Sequence, residues 1–141
     1  MGVVVLAFGT FDVFHIGHLN YLKQAKKIAG SGELVVIVAR DENALKHSHK
    51  KLIHDEFERL EIIKNLKIVD HALLGEKNPF DILKKLKPKI IVLGYDQLND
   101  ITTLEKEITK LGLDTVIVRA KPYKHEEKKS SIIKRKLLNL N

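Results

Sequence analysis

Five short apolar runs rich in β-branched residues punctuate the chain: VVVLAF (3–8), LVVIVA (34–39), IVDHALL (68–74), IIVLG (90–94) and TVIV (115–118). Only the third alternates with period two. Continuous apolar runs of this length fit parallel strands covered on both faces. Helical stripes lie between them. Leu19, Leu22, Ala25, Ile28 and Ala29 share one face of a helix at about 17–29, with a stop at Gly30 and Gly32. Phe57, Leu60, Ile63 and Leu66 make the next stripe, then Phe80 and Leu83, ended by Pro88. Ile101, Leu104, Ile108 and Leu111 follow, stopped by Gly112, and Ile133, Leu137 and Leu140 close the chain. Strands alternating with helices predict an α/β, three-layer architecture: a five-stranded parallel sheet with crossover helices on both faces.

No internal repeat or low-complexity linker breaks this order, so residues 1–141 are expected to form a single domain. The composition, 44% hydrophobic and 30% charged, is that of a globular protein rather than a disordered one. The longest apolar runs fall far short of the roughly 20 residues a membrane helix needs, so no membrane association is expected. With no secretory signal at the start, a cytoplasmic location is the expectation. The absence of cysteine excludes disulfides and thiolate metal sites. The net charge of +7 has two readings: an anionic partner, or the Lys/Glu-rich surface common in heat-adapted proteins.

Ligands of such sheets bind outside the carboxyl ends of the strands, which singles out loops 9–18, 40–54, 75–79, 94–100 and 119–131. The first of these reads GTFDVFHIGH and runs from a buried strand straight into a helix. A helix start presents unpaired N–H groups and a partial positive charge, a ready anion site. Gly9 and Gly17 remove side chains where a phosphate must approach the backbone, and His15 and His18 can donate hydrogen bonds to its oxygens. Two other readings stand beside this one. The histidines can cap the helix, or chelate a metal, although no acidic residue or cysteine nearby completes a metal set.

The later loops add candidates. The stretch KHSHKKLIH (46–54) can hold anions electrostatically, be a solvated loop, or use His47, His49 and His54 on a metal. Arg59 on the next helix can serve a phosphate or make a surface ion pair with Glu56 or Glu58. Asp96, past the fourth strand, is placed to accept hydrogen bonds from a ribose or a base, or to cap the next helix. After the fifth strand, Tyr123 can stack on a base or pack on its loop. Ser130 and Ser131 open the final helix as N-caps, and their hydroxyls can also hold a triphosphate tail.

GTFDVFHIGH resembles the (T/S)-x-x-H-x-G-H signature of the nucleotidyltransferase superfamily, the cytidylyltransferase-like group with a Rossmann-like core. VIVARDE after strand two, IIVLG-x-DQ after strand four and the Y-K…SS ending extend the resemblance over essentially the whole chain, and they are similar to the archaeal FAD synthases. The resemblance implies transfer of AMP from ATP to FMN, giving FAD and pyrophosphate. A divalent cation, Mg²⁺, would arrive with the triphosphate. It implies His15 and His18 as catalytic residues, with Thr10, Phe11, His15, Ile16, Gly17, His18, Asp96 and Tyr123 at ATP. Phosphate contacts would come from Lys46, Arg59, Ser130 and Ser131. Tyr95, Phe11 or Phe14 could offer the flavin an aromatic surface. ATP and FMN are then the partners, with no nucleic acid, and the superfamily tendency is towards homodimers. The chain departs from those relatives in having no cysteine near the C-terminal loop, so no thiol-dependent behaviour is expected. The alternative is a cytidylyltransferase acting on glycerol 3-phosphate or another small phosphorylated acceptor. A third reading, an RNA-binding module using the lysine-rich region 121–136, has only Tyr123 for base stacking.

Overall fold

The computed structural model describes residues 3–47 and 51–123. Five strands, β1 (Val4–Gly9), β2 (Glu33–Val38), β3 (His71–Leu74), β4 (Ile90–Leu93) and β5 (Val116–Arg119), form one sheet in the order β3-β2-β1-β4-β5. Every pairing is parallel. Helices α1 (Ile16–Ala29), α2 (Asp41–His47), α3 (Glu56–Lys64), α4 (Asp81–Leu86) and α5 (Thr102–Lys110) connect them. Among the described residues no helix is long and apolar enough to cross a membrane.

Successive strand residues face opposite sides of a sheet, so a continuously apolar strand feeds two cores. Val5 and Ala7 of β1, Val36 and Val38 of β2 and Val92 of β4 point to one side, where they meet Leu22 and Ala25 of α1 and Ile63 of α3. Leu6, Val35, Ile37, Ile91 and Leu93 point to the other, against Leu83 of α4 and Leu104 and Ile108 of α5. The expected three-layer Rossmann-like α/β sandwich is therefore present, with its five-stranded parallel sheet and helices on both faces.

Three features differ from the sequence expectation. Helix α2 lies inside the stretch expected to be the loop 40–54; its sequence DENALKH carries no apolar stripe, and among its described side chains only Ala44 is buried. Strand β3 is shorter than the run 68–74, because a turn occupies its first half and Asp70 Oδ2 accepts the Leu34 N–H at 2.7 Å. Phe57 is 66% exposed, and α3 turns Arg59 and Ile63 inward instead. An i, i+3 stripe drifts about 60° around the helix at each step, so Phe57 and Leu66 cannot both face the core fully. The final stripe, Ile133, Leu137 and Leu140, lies outside the described residues.

Candidate active site

The chain leaves β1 for α1 and β2 on one side, while β4 and β5 pair on the other, so the sheet's topological switch point lies between the carboxyl ends of β1 and β4. Open α/β sheets place ligands in that crevice. Here side chains hold the crevice open. The buried hydroxyl of Tyr21 accepts the Phe8 N–H (3.0 Å) and donates to the Val92 carbonyl (2.5 Å), standing between the two strands. Burial pushes its ionisation upward, so it remains a phenol. One step further out, Gln97 Nε2 donates to the Phe8 carbonyl at 2.8 Å, and its Oε1 accepts the Gly94 N–H at 2.9 Å. The strand tips are thus joined through a phenol and an amide rather than through ladder bonds.

The loop from β1 to α1 turns sharply. Phe11 has a φ of +54°, a left-handed conformation unfavourable for a bulky residue. Its ring lies buried against Gly9, where an added Cβ would come within 2.5 Å of it. Gly9 is therefore required by close packing of Phe11. Because Phe11 is only 3% exposed, its ring offers no open aromatic surface to a flavin.

His15 caps α1. Its Nδ1 accepts the Gly17 N–H at 3.0 Å, while the His15 N–H donates to His18 Nδ1 at 3.3 Å. The two rings stack with centroids 3.8 Å apart, and His18 meets Phe11 edge-on at 5.3 Å. Burial lowers both imidazole pKa values, that of His18 to about 3 with a further contribution from His15. Both rings are neutral near pH 7. With each Nδ1 acting as an acceptor, each neutral ring carries its proton on Nε2. Helix capping and anion binding, separate readings of the sequence, are compatible here: Nδ1 serves the helix and Nε2–H is a donor.

Behind this loop a buried charged brace fixes the surrounding segments. Arg59 is fully buried and donates to the carbonyls of Thr10 (2.8 Å), Ala39 (2.8 Å) and His54 (3.2 Å) and to Asp41 Oδ1 (2.6 Å). Of the two readings of Arg59, the surface ion pair with Glu56 or Glu58 does not form; the partner carboxylate is Asp41, and the guanidinium offered to a phosphate instead faces the protein. Glu56 instead receives Arg40 and the Asp41 N–H, and Glu58 closes a capping box with Asp55. Asp12, 6% exposed, accepts the N–H groups of Ile53 and His54 at 2.9–3.1 Å. Together, Arg59 and Asp12 tie the loop after β1 to the one after β2 and to the start of α3.

The remaining candidates spread along the carboxyl edge. Thr10, Ile16 and Gly17 lie at the β1–α1 junction beside the histidines. Asp96 is exposed on the segment after β4, which Arg119 holds through the carbonyls of Gly94 (2.9 Å), Gln97 and Leu98 (2.7 Å). Tyr123 is half-buried at the end of the segment after β5. That segment is fastened to α1 by a two-way amide contact: Gln24 Nε2 donates to the Lys121 carbonyl (2.9 Å), and the Lys121 N–H donates to Gln24 Oε1 (3.0 Å). Lys46 is exposed on α2, 3.9 Å from Glu42. Ser130, Ser131 and His49 lie outside the described residues. Among the described residues, no group of three His, Asp or Glu side chains is arranged to hold a metal ion.

Sequence reasoning missed Asp12, Tyr21, Gln24, Gln97 and Arg119. Asp12 and Gln97 sit within the quoted motifs and were open to notice there. The partners of Tyr21, Gln24 and Arg119 lie 71, 97 and 25 residues away, which no local pattern reveals.

A family model described as cytidylyltransferase-like matches residues 6–136. The FAD synthase of Korarchaeum cryptofilum is 47% identical over 96% of this chain and 92% of its own length. The FAD synthase of Thermoplasma volcanium is 44% identical over 96% and 94% of the two chains. A crystal structure described as the lipopolysaccharide core biosynthesis protein from Thermoplasma volcanium superposes with a TM-score of 0.81, at 45% identity over 87% of this chain and 99% of that one. An Archaeoglobus fulgidus protein of unknown function shares the fold, with a TM-score of 0.68 at 20% identity over 83% of this chain and 88% of that one. The chain belongs to the cytidylyltransferase-like family, in the group that contains the archaeal FAD synthases.

Proposed function

We propose that this protein is an FMN adenylyltransferase: a phosphate oxygen of FMN attacks the α-phosphorus of ATP, the bond from that phosphorus to the β-phosphate bridging oxygen breaks, and FAD and pyrophosphate result. The attacking oxygen is already anionic, so no protein nucleophile or general base is required. The rate then depends on positioning and on stabilising charge at the equatorial oxygens. The observation that carries this reading is the pair of neutral imidazoles held through Nδ1 at the start of α1, in a chain whose relatives bear the name FAD synthase. Their Nε2–H donors and the N–H of Ile16 serve the α- and β-phosphates, while the Gly17 N–H is taken up by His15 Nδ1 and Gly17 itself leaves room for the phosphates to approach. Arg59 supports them indirectly by holding the Thr10 carbonyl. Asp96 and Tyr123 receive the nucleoside, while Lys46, Ser130 and Ser131 accompany the departing pyrophosphate. A divalent cation, Mg²⁺, would come with ATP and would supply neutralisation of the triphosphate charge, since the described residues offer no His/Asp/Glu group of three to hold it. The reading includes a cytoplasmic location.

A pyrophosphate-release assay with Mg²⁺, crossing ATP and CTP against FMN and glycerol 3-phosphate, tests the reading. Release with ATP and FMN alone, with FAD identified by chromatography, is expected. Release with CTP and glycerol 3-phosphate would keep the site and replace both substrates. Release with no pair would leave the RNA-binding reading to be tested.

A further inference from the structure

A pocket of about 390 Å³ opens at the carboxyl edge of the sheet, on the face opposite the histidines. Its walls are apolar: Phe8 of β1, Ile37 of β2, Leu93 of β4, Leu83 of α4 and Leu104 of α5 all belong to the second core, and Phe80 and Pro79 close one side. Polar side chains are few: Thr10 and Gln97 past strand ends, Glu76, which pairs with Lys85, and Asn43 of α2, whose Nδ2 is anchored to the carbonyls of Glu76 (3.2 Å) and Lys77 (3.3 Å). Pockets for small organic ligands range over about 300–1,000 Å³ and share this character, mostly apolar walls with a few placed polar groups.

Its position relative to the nucleotide elements decides what it holds. The segment reaching Tyr123 is fastened to α1 through Gln24, on the side of the sheet that carries His15 and His18. The nucleoside is thereby directed to the α1 side, and the pocket on the α4–α5 side is left for the acceptor. Gly9 and Thr10 line the pocket, while the Phe11 ring packs against the other side of Gly9 and meets His18. The two compartments therefore meet at the end of β1, where an acceptor phosphate has to reach the nucleotide.

Resting on the FMN adenylyltransferase reading, we propose that this pocket holds the isoalloxazine ring of FMN, with its ribityl phosphate passing over Thr10 towards the histidines. The ring is planar, tricyclic and largely apolar, with a uracil-like edge rich in hydrogen-bonding groups. The side-chain carbonyl of Asn43 is an acceptor for the N–H of that edge, and Phe80 supplies an aromatic wall. Helix α2 thereby becomes part of the acceptor site, through Asn43 and the buried Ala44.

Two variants test this without touching the histidine site. Ala44→Phe fills the pocket and Phe80→Ala removes an aromatic wall, with circular dichroism confirming that each is folded. FMN affinity is read from quenching of flavin fluorescence, and KM for ATP from turnover. Ala44→Phe is expected to weaken FMN binding about tenfold or more, and Phe80→Ala about three- to tenfold, with KM for ATP changing less than about twofold. FMN affinity unchanged in a folded variant of either kind would overturn the assignment, as would a raised KM for ATP with FMN binding intact, which would put adenine in the pocket. Wild-type protein that makes no FAD would instead overturn the parent reading. Wild-type protein that makes FAD beside variants that bind FMN normally would overturn only the pocket assignment.

Discussion

The rings of His15 and His18 stack 3.8 Å apart, and both direct Nδ1 to backbone N–H groups of the same helical turn. The pair is therefore pre-set as neutral donors before any ligand arrives, and the cost of orienting them is met during folding.

Removing one ring separates its two duties. His18→Ala is expected to lower kcat about 10²- to 10³-fold, the usual effect of deleting one preorganised donor to developing charge. Loss of its capping contact destabilises the fold by only about 1 kcal/mol. FAD formation followed by chromatography, together with a thermal melt, checks both. Wild-type turnover in the variant would remove His18 from the site.

The lowered histidine pKa values set a pH dependence of stability. An unfolded histidine takes up a proton near its ordinary pKa of about 6.5, whereas folded His18 resists protonation down to about 3. Between these values the unfolded state binds more protons, so the contribution of His18 to stability is whole above the upper value and falls as pH drops towards the lower one. Melting temperature measured from pH 8 to pH 4 is expected to decline below about pH 6.5, and His18→Gln is expected to flatten that decline. The kcat profile is expected to show no histidine ionisation over the neutral range. A basic limb with a midpoint near neutrality would contradict this.

Arg59 is the charged residue whose loss is expected to be most damaging. Arg59→Met keeps much of the volume but leaves three carbonyls and Asp41 without their guanidinium partner. Asp41, with its side chain 36% exposed, stays partly solvated, so the cost comes chiefly from the carbonyls left without a donor, about 3 kcal/mol in all. Urea denaturation is the measurement, and a loss well below about 1 kcal/mol would show that the brace carries little energy.

The sheet and its helices were legible because continuous apolar runs and i, i+4 stripes report burial directly, as at Leu34, Val36 and Val38 of β2. The H-x-G-H turn was legible because its chemistry is local: His15, Gly17 and His18 cap the helix that they begin. Arg59 could not be placed, since a charged residue on a helix is ordinarily exposed and its four acceptors come from three separate segments of the chain. Helix α2 escaped notice because seven mostly polar residues give no periodic signal. The acceptor pocket was equally hidden, being assembled from strands, helices and loops that meet only in the folded chain.

Mg²⁺ dependence is expected to follow the nucleotide. Among the described residues no carboxylate–histidine cluster offers the ion a site, so EDTA is expected to stop turnover while leaving the melting temperature unchanged. Activity is expected to return as Mg²⁺ in excess of the EDTA approaches and passes total ATP. A melting temperature lowered by EDTA would point to an ion bound by the protein itself.

Tyr21→Phe tests the phenol between the strands. It leaves the Phe8 N–H and the Val92 carbonyl unpaired, at an expected cost of about 1–3 kcal/mol. Thermal denaturation checks the stability, and a fall in kcat measured alongside it would show that strand separation matters to the chemistry.

That hydroxyl has a wider consequence. Because it both accepts from β1 and donates to β4 from inside the core, the gap where substrates meet belongs to the same cooperative unit as the central strands. The crevice is not a region that loosens first on warming. Amides flanking it, such as that of Phe8, should exchange with solvent only when the whole molecule unfolds, so an enzyme drained of its substrates keeps its cleft in shape for as long as it remains folded.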